Sequence, residues 1–101
     1  MSYAEVEMKV IQWSEARKII PNSTPIAQWK KAAEELDELR DALVKNDLPL
    51  AIDGVGDTVV CLINICALLD ISLTECLKVA YEEIKDRKGT MNAEGIFVKE
   101  V

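Results

Sequence analysis

The sequence predicts an all-α fold, a four-helix antiparallel bundle that is completed by oligomerisation. Half of its 101 residues are hydrophobic and 30% are charged, which is typical of one compact domain and not of a disordered chain. Apolar residues recur at helical spacing between segments that contain helix-breaking proline and asparagine. A domain of this size buries only about two thirds of its extended-chain surface, so apolar area remains for a second copy to cover.

The first predicted helix covers residues 2–19. Ser2 followed three residues later by Glu5 is a capping-box pattern, which marks a helix N-terminus. Val10 and Trp13 belong to an apolar series at near-helical spacing, and the Pro-Asn-Ser segment after residue 20 ends the helix. We therefore expect one continuous helix before the first proline.

The second predicted helix covers residues 24–45. Thr24 is a typical N-cap residue, and Pro25 suits the first helical position, where its missing N–H costs nothing. The segment that follows is rich in Ala, Leu, Glu and Lys, which are good helix formers, until residues 46–49 end it. One apolar stripe indicates the face that packs on a neighbouring helix, and it consists of Ala32, Leu36, Leu39 and Leu43.

Two further helices follow in the second half of the chain. Residues 50–69 are apolar on nearly every side, which indicates a central helix covered by several neighbours. Ser72 and Glu75 form a second capping box and open a helix over residues 72–88. Short connections between four helices predict an antiparallel bundle, and the assembly is expected to be a homo-oligomer, either a dimer or a tetramer.

The last segment, residues 89–101, is predicted to be a tail of the same single domain, which spans residues 1–101. It contains a turn around residues 92–95 and a short extended run at 96–98. Strand content is expected to be near zero elsewhere.

Composition excludes several classes of function. Twelve Lys and Arg against eighteen Asp and Glu give a net charge of -6, which argues against a nucleic-acid polymer or an anionic membrane as the main partner. The chain contains no histidine, and this excludes a His-dependent triad, an imidazole general base and His-ligated zinc.

The cysteines and the N-terminus indicate a reducing compartment. Three cysteines, at positions 61, 66 and 76, lie among apolar residues, and this odd number without a Cys-x-x-Cys pattern suits reduced thiols. No apolar run reaches the roughly 18 residues of a spanning helix. The opening MSYAEVEMKV carries acids where a signal peptide carries a basic and then an apolar stretch. We expect a cytoplasmic protein that is neither exported nor bound to a membrane.

Three carboxylates share one sector of the second predicted helix. Glu34, Glu35 and Glu38 lie at positions i, i+1 and i+4, so at about 100° per residue Glu38 projects between the other two. The leucine stripe lies beside this sector, which places the cluster at the lip of a packed groove. Alone the run is weakly specific, because glutamate favours both helices and water, and such runs are usually solvated helix faces.

A second pair of carboxylates lies on the apolar third helix. Asp53 and Asp57 are one turn apart on a segment that is otherwise uncharged, and buried carboxylates need a partner. Asp53 also has an ordinary explanation, because the helix dipole favours an acid near a helix start. Gly54 and Gly56 lie between the two, and glycine inside a helix indicates either tight helix packing or the close approach of a ligand.

An antiparallel helix pair would bring these carboxylates together on one groove. Four or five of them would repel one another prohibitively unless cations lay among them. Oxygen ligands without nearby His or Cys favour Mg²⁺, or alternatively Mn²⁺, and Mg²⁺ normally takes substrate phosphates as its remaining ligands. The residues therefore predict a divalent metal site that binds a nucleotide.

The chain also resembles a known family. The EELDEL of the second helix, the DGVGD that opens the third and the ending EEIKDRKGTMNAEGIFVKE resemble MazG-like all-α nucleoside triphosphate pyrophosphohydrolases. The likeness covers roughly residues 10–100 and is strongest to small single-domain, phage-type members. The family signature is Glu-x-x-Glu on one helix and Glu-x-x-Asp on the next. The resemblance implies metal ligation by Glu35, Glu38 and Asp57.

The family signature is incomplete in this chain. Position 54 is glycine where the family has its third glutamate, and Asp53 is the one carboxylate placed to substitute. Many members carry Asn-x-Lys on the fourth helix, where this chain has Tyr81 and Glu83. Other residues of this helix must therefore contact the substrate. Tyr81 is one candidate, and the cations available beside it are Lys78, Lys85, Arg87 and Lys88. Solvated ion pairs with Glu75, Glu82 and Glu83 are the alternative role of these cations.

Two other residue types are candidate nucleotide contacts. Asn64 continues the strip that begins at Asp53 and Asp57 and can reach a base or ribose, with an interhelical hydrogen bond as the alternative. Trp13 and Trp29 can stack on a base, but amphipathic helices bury tryptophan routinely, and core packing is the favoured interpretation of both.

The resemblance implies Mg²⁺-dependent hydrolysis of a (deoxy)nucleoside triphosphate to a monophosphate and pyrophosphate. This is a nucleotide-pool housekeeping activity, exercised in the host cytoplasm if the chain is phage-encoded. Glu34 or Glu38 would accept the proton of the attacking water. Two alternatives stay open, which are a non-catalytic acidic helical interaction module and a pyrophosphohydrolase that acts on a phosphoribosyl nucleotide.

Overall fold

A computed structural model describes residues 1–100 as five helices followed by a β-hairpin. The elements in chain order are α1 (Tyr3–Ala16), α2 (Ile19–Asn22), α3 (Pro25–Val44), α4 (Leu48–Leu68), α5 (Leu73–Ile84), β1 (Gly89–Met91) and β2 (Phe97–Lys99). The all-α class predicted from the sequence is confirmed. In the part of the chain described, strands occur only in the tail.

The first predicted helix is interrupted, which corrects its expected extent. It begins as predicted, since Ser2 Oγ accepts a hydrogen bond from the Glu5 N–H at 3.2 Å. It ends at Ala16, because Lys18 adopts the left-handed conformation with a φ of 67°. The short α2 then carries the chain to Asn22. The apolar spacing continues across the break, so periodicity did not reveal it.

The helices α3 and α4 form the central pair of the fold. Thr24 Oγ1 caps α3 by accepting a hydrogen bond from the Ala27 N–H at 3.1 Å, and Asp47 caps α4 by accepting one from the Leu50 N–H at 3.1 Å. The connection between them is only residues 45–47, so the two helices run antiparallel. The helix α4, which is the third predicted helix, starts at Leu48 and not at residue 50, because proline is tolerated in a first helical turn.

Gly54 allows the two central helices to approach closely. A Cβ atom at position 54 would lie 3.0 Å from Leu39 Cβ and 3.2 Å from Leu39 Cα. At Gly56, by contrast, an added Cβ atom would meet nothing within 4 Å. Tight packing therefore explains Gly54 and does not explain Gly56.

A buried chain of hydrogen bonds joins α1, α3 and α4. Ser14 Oγ, which is completely buried, donates to Asn64 Oδ1 at 2.6 Å. Asn64 Nδ2 donates in turn to Gln28 Oε1 at 3.1 Å. Because each of these three side chains has a hydrogen-bond partner, the contacts specify how the three helices meet.

The fifth helix and the hairpin are attached less closely. Glu7 of α1 holds the start of α5, because its carboxylate accepts hydrogen bonds from the Leu73 N–H and the Thr74 hydroxyl, both at 3.2 Å. The helix ends at Ile84, earlier than the predicted residue 88. The strands pair antiparallel with Thr90 opposite Val98, around a turn in the predicted place.

Much apolar surface is uncovered in a single chain. The buried apolar side chains of the described part are few and mostly small, namely Ala32, Ala42, Ala51, Cys61, Ile63 and Cys66. On α5, Leu77, Tyr81 and Ile84 are all at least half exposed. The radius of gyration is 15.9 Å, against about 13 Å for a compact domain of 100 residues.

By length and composition alone, α4 could cross a membrane. This corrects the expectation that no apolar segment is long enough to span one. Its mean hydropathy reaches 1.7, and Asp53 and Asp57 are its only charged residues. In the structure, however, α4 packs against α1, α3 and α5 and supplies most of the buried core. This is the position of the central helix of a bundle, as its apolar composition predicted.

Candidate functional site

A groove of about 250 Å³ between α3 and α4 carries three of the predicted acidic residues. Glu38 lines it from α3, and Asp53 and Asp57 line it from α4. The structure therefore brings together side chains that the sequence placed on two different helices. Asp41 and Lys45 also line the groove and were missed, although they follow Glu38 at intervals of three and seven residues, which is the spacing of one helix face.

Glu35 is the most unusual carboxylate of the site. Its side chain is only 10% exposed, and its Oε1 atom lies 3.4 Å from Lys31 Nζ. Its Oε2 atom is buried and has no hydrogen-bond partner. A buried carboxylate oxygen without a partner costs free energy, which a cation bound to that oxygen would offset.

Lys31 forms ion pairs with two residues of this acidic cluster. Its ammonium group also lies 3.4 Å from Glu34 Oε2. Hydrogen bonds to Glu34 and then to Glu35, together with their charges, raise the pKa of Lys31. Lys31 was not among the predicted site residues, although four residues before Glu35 is an ordinary spacing for an ion pair on a helix.

The pKa values of Glu38 and Asp57 show that the acidic residues act on one another. The pKa of Glu38 is raised chiefly by the negative charge of Glu35, with a smaller contribution from Asp57. The pKa of Asp57 is raised first by burial and then by the charges of Asp53 and Glu35. All four carboxylates therefore share one region of negative potential.

These carboxylates lie near one another, but their oxygen atoms are not arranged to coordinate a metal ion. Within residues 1–100, no three acidic or cysteine side chains lie close enough together to hold an ion as they stand. Repulsion separates carboxylates that have no cation between them, and Glu38 and Asp53 are exposed, so their side chains have room to turn. The oxygen-only donor set and the unpartnered oxygen of Glu35 fit Mg²⁺ or Mn²⁺.

The missing third glutamate of the family signature has a structural reason. Position 54 points at the backbone of Leu39, so a glutamate there would have no room in this packing. The neighbouring Asp53 is exposed and lines the groove. The substitution of Asp53 for that glutamate stays a prediction.

Other predicted substrate contacts lie outside the groove lining. Asn64 is 3% exposed, and both ends of its amide are engaged with Ser14 and Gln28, which is the interhelical alternative. Lys78 lies 3.6 Å from Glu75, and Lys85 lies 2.6 Å from Glu82, so both form the alternative ion pairs on α5. Tyr81 and Arg87 are exposed. Nucleotide contact by these residues stays a prediction.

The tryptophans are not core residues of a single chain, which makes the core-packing interpretation wrong. Trp13 is 48% exposed and Trp29 is 58% exposed. The Arg17 guanidinium lies 5.9 Å from the centre of the Trp13 ring, a typical cation–π distance. Base stacking on Trp13 stays a prediction.

The raised pKa values of Glu38 and Asp57 predict how pH changes the stability of the metal-free protein. A carboxyl group whose pKa is higher in the folded state costs stability when it is ionised, and this cost disappears as the pH falls through the raised value. At neutral pH, Glu38→Gln should therefore melt above the unchanged chain in a chelating buffer. The difference should shrink to nothing as the pH approaches about 4. A difference that grows on acidification would contradict the assignment.

Comparisons with known proteins show which fold this arrangement of helices has. The central helical pair with its flanking helices has the all-α fold of MazG-like pyrophosphohydrolases. The likeness is to the solved cyanophage S-2L MazG-like pyrophosphohydrolase, bound to dGDP and three catalytic Mn²⁺ ions per active site. The two structures superpose with a TM-score of 0.73 at 20% sequence identity, over 100% of this chain and 99% of the other. No family model matches the sequence, and no curated protein matches it significantly.

Proposed function

We propose that this chain is a MazG-like pyrophosphohydrolase that cleaves a (deoxy)nucleoside triphosphate to a monophosphate and pyrophosphate. The observation that carries the proposal is the buried, unpartnered oxygen of Glu35 beside the groove of Glu38 and Asp57. The shared fold with a pyrophosphohydrolase that binds dGDP and Mn²⁺ supports it. The activity would serve the nucleotide pool of the cytoplasm.

In this proposal Glu35, Glu38, Asp57 and Asp53 hold Mg²⁺ or Mn²⁺ in the groove. When bound, the metal neutralises the triphosphate and lowers the pKa of the attacking water. Glu38 is the better placed general base, because its raised pKa suits a group that must take up a proton. Glu34 is the second candidate base, and its Oε2 atom lies 3.4 Å from Lys31 Nζ.

The nucleoside would lie over residues that the single chain leaves exposed. Trp13 offers a ring for stacking. Lys78, Lys85 and Arg87 are exposed cations that can approach phosphate oxygens once their exposed ion pairs open, which costs little.

Melting and turnover measured together test the proposed function. We expect Mn²⁺ or Mg²⁺ to raise the melting temperature, since an ion that binds only the folded state stabilises it. We also expect pyrophosphate release from at least one member of a panel of ribo- and deoxynucleoside triphosphates. Turnover of a phosphoribosyl nucleotide alone would favour the biosynthetic alternative. No metal response and no turnover would favour the non-catalytic interaction module.

We further propose that the functional assembly is a homo-oligomer in which a second copy covers α5. The exposed Leu77, Tyr81 and Ile84 border an apolar groove of about 570 Å³ on this helix. An expanded chain with so few large buried side chains leaves apolar area that a copy of the same surface would cover.

Sedimentation equilibrium tests this assembly. We expect the unchanged chain to be a dimer or tetramer and Leu77→Lys to shift it toward monomer, because the variant places a charge in an apolar contact. Glu75→Gln changes the charge by the same amount at an exposed position of the same helix and should assemble normally. A monomeric unchanged chain, or equal assembly of both variants, would refute the proposal.

A further inference from the structure

We propose that Cys66 and Cys76 form a redox-sensitive pair that a peroxide oxidises to an intrachain disulfide, which ties α5 to α4. The two Sγ atoms lie 4.0 Å apart, and both thiols are free. Cys66 lies in the last turn of α4, and Cys76 lies in the first turn of α5. The inference concerns the helix junction and does not depend on the proposed hydrolysis.

The connection between the two helices brings the thiols together. The Ile71 N–H donates to the Cys66 carbonyl oxygen at 2.9 Å, and Asp70 adopts the left-handed conformation with a φ of 56°. This tight turn folds the start of α5 back beside the end of α4. Bond formation requires the sulfur atoms to approach to about 2.05 Å. Rotation of the two side chains and a small shift of the loosely packed α5 can supply that movement.

The two thiols differ in exposure, and this difference assigns their roles. Cys76 is exposed, whereas Cys66 is only 7% exposed. Burial and the neighbouring Cys76 raise the pKa of Cys66 to about 11, so Cys66 is rarely a thiolate at neutral pH. An oxidant in solution therefore reaches Cys76 first, and Cys66 reacts with the oxidised Cys76.

The chemistry balances with hydrogen peroxide as the oxidant. The Cys76 thiolate attacks one peroxide oxygen, the O–O bond breaks, and the leaving hydroxide takes up a proton to become water while Cys76 becomes a sulfenic acid. Cys66 sulfur then attacks the Cys76 sulfur and gives up its proton. The S–O bond breaks, and the departing hydroxide takes that proton to leave as the second water. In total, two thiols are oxidised to one disulfide, and one peroxide is reduced to two waters.

The disulfide would add a covalent link where the structure has few contacts. Apart from its chain connection, α5 is held at its start by the two hydrogen bonds to Glu7. A disulfide that closes a short loop reduces the freedom of the unfolded chain and so stabilises the fold. It would also fix the helix that carries Lys78, Tyr81 and Lys85.

Peptide mapping of the full chain after hydrogen peroxide treatment tests the inference. Cleavage after glutamate separates Cys76 from the peptide that carries Cys61 and Cys66, because Glu75 lies between them. In the matched control Cys61→Ala, only Cys66 is left on that peptide, which assigns the bond. Cys76→Ser removes the exposed thiol and should form no intrachain bond.

We expect the unchanged chain and Cys61→Ala to lose about 2 Da, the mass of two hydrogen atoms, on oxidation. The melting temperature of both should rise by at least about 5 °C, and a thiol reductant should reverse the change. A bond between two chains, a bond to Cys61, or oxygen addition at Cys76 without a bond would overturn the proposal. So would the absence of reaction, or a disulfide that leaves the melting temperature unchanged.

Discussion

Glu38→Gln and Asp57→Asn should each abolish the release of pyrophosphate from nucleoside triphosphates. Each change removes a carboxylate from the groove while keeping the size of the side chain. Loss of a general base alone costs about 10²–10⁴-fold in rate, and the loss of a metal ligand adds to that. A coupled assay for pyrophosphate at saturating Mg²⁺ measures the effect.

The fold of both variants should be intact or more stable in the absence of metal, because each substitution removes one of the charges that repel one another. Circular dichroism in chelating buffer checks this point. Asp37→Asn is the matched control, since Asp37 is an exposed acid of α3 that pairs with Arg40 at 3.8 Å and does not line the groove. The control should retain activity, and full activity in either groove variant would refute the proposed site.

Gly54→Glu should destabilise the protein, although it would complete the family signature. The new Cβ atom would meet Leu39 at 3.0–3.2 Å, including its Cα atom, which cannot move without displacing α3. Overpacking of this kind costs about 1–3 kcal/mol. Urea denaturation should show a lower midpoint, and hydrolysis should fall because the groove lies between the same two helices.

Gly56→Ala is the control for the glycine prediction. An added Cβ atom at position 56 meets nothing within 4 Å, so the better helix propensity of alanine should stabilise the chain by about 0.5–1 kcal/mol. If Gly54→Glu were as stable as the unchanged chain, or more active than it, the structural explanation of the incomplete signature would be wrong.

Local chemistry explains why most helix starts were predictable. Ser2, Thr24 and Ser72 each accept the capping hydrogen bond that their sequence context predicted. The break at Lys18 was not predictable, because a lysine in the left-handed conformation leaves no compositional signal. The start of α4 lies two residues before the predicted one, because proline ends helices but also suits a first helical turn.

Helical spacing predicted which residues of the candidate site lie on one face of a helix. Spacing placed Glu38 opposite Asp57, and both line one groove. The burial of Glu35 and the contact of Gly54 with Leu39 depend on the distance between two helices, which no single-helix pattern contains. The exposure of Trp13 was missed for a similar reason, since periodicity identifies an apolar residue and not the surface that covers it.

The most direct test of the account is a crystal structure of the protein with Mn²⁺ and a non-hydrolysable deoxynucleoside triphosphate. We expect anomalous difference peaks for Mn²⁺ in direct coordination with Glu35, Glu38 and Asp57, with Asp53 turned toward the same ions and the phosphates completing their shells. Lys31 should have left Glu35 Oε1. Manganese bound elsewhere, or a groove without metal at saturating concentration, would contradict the account.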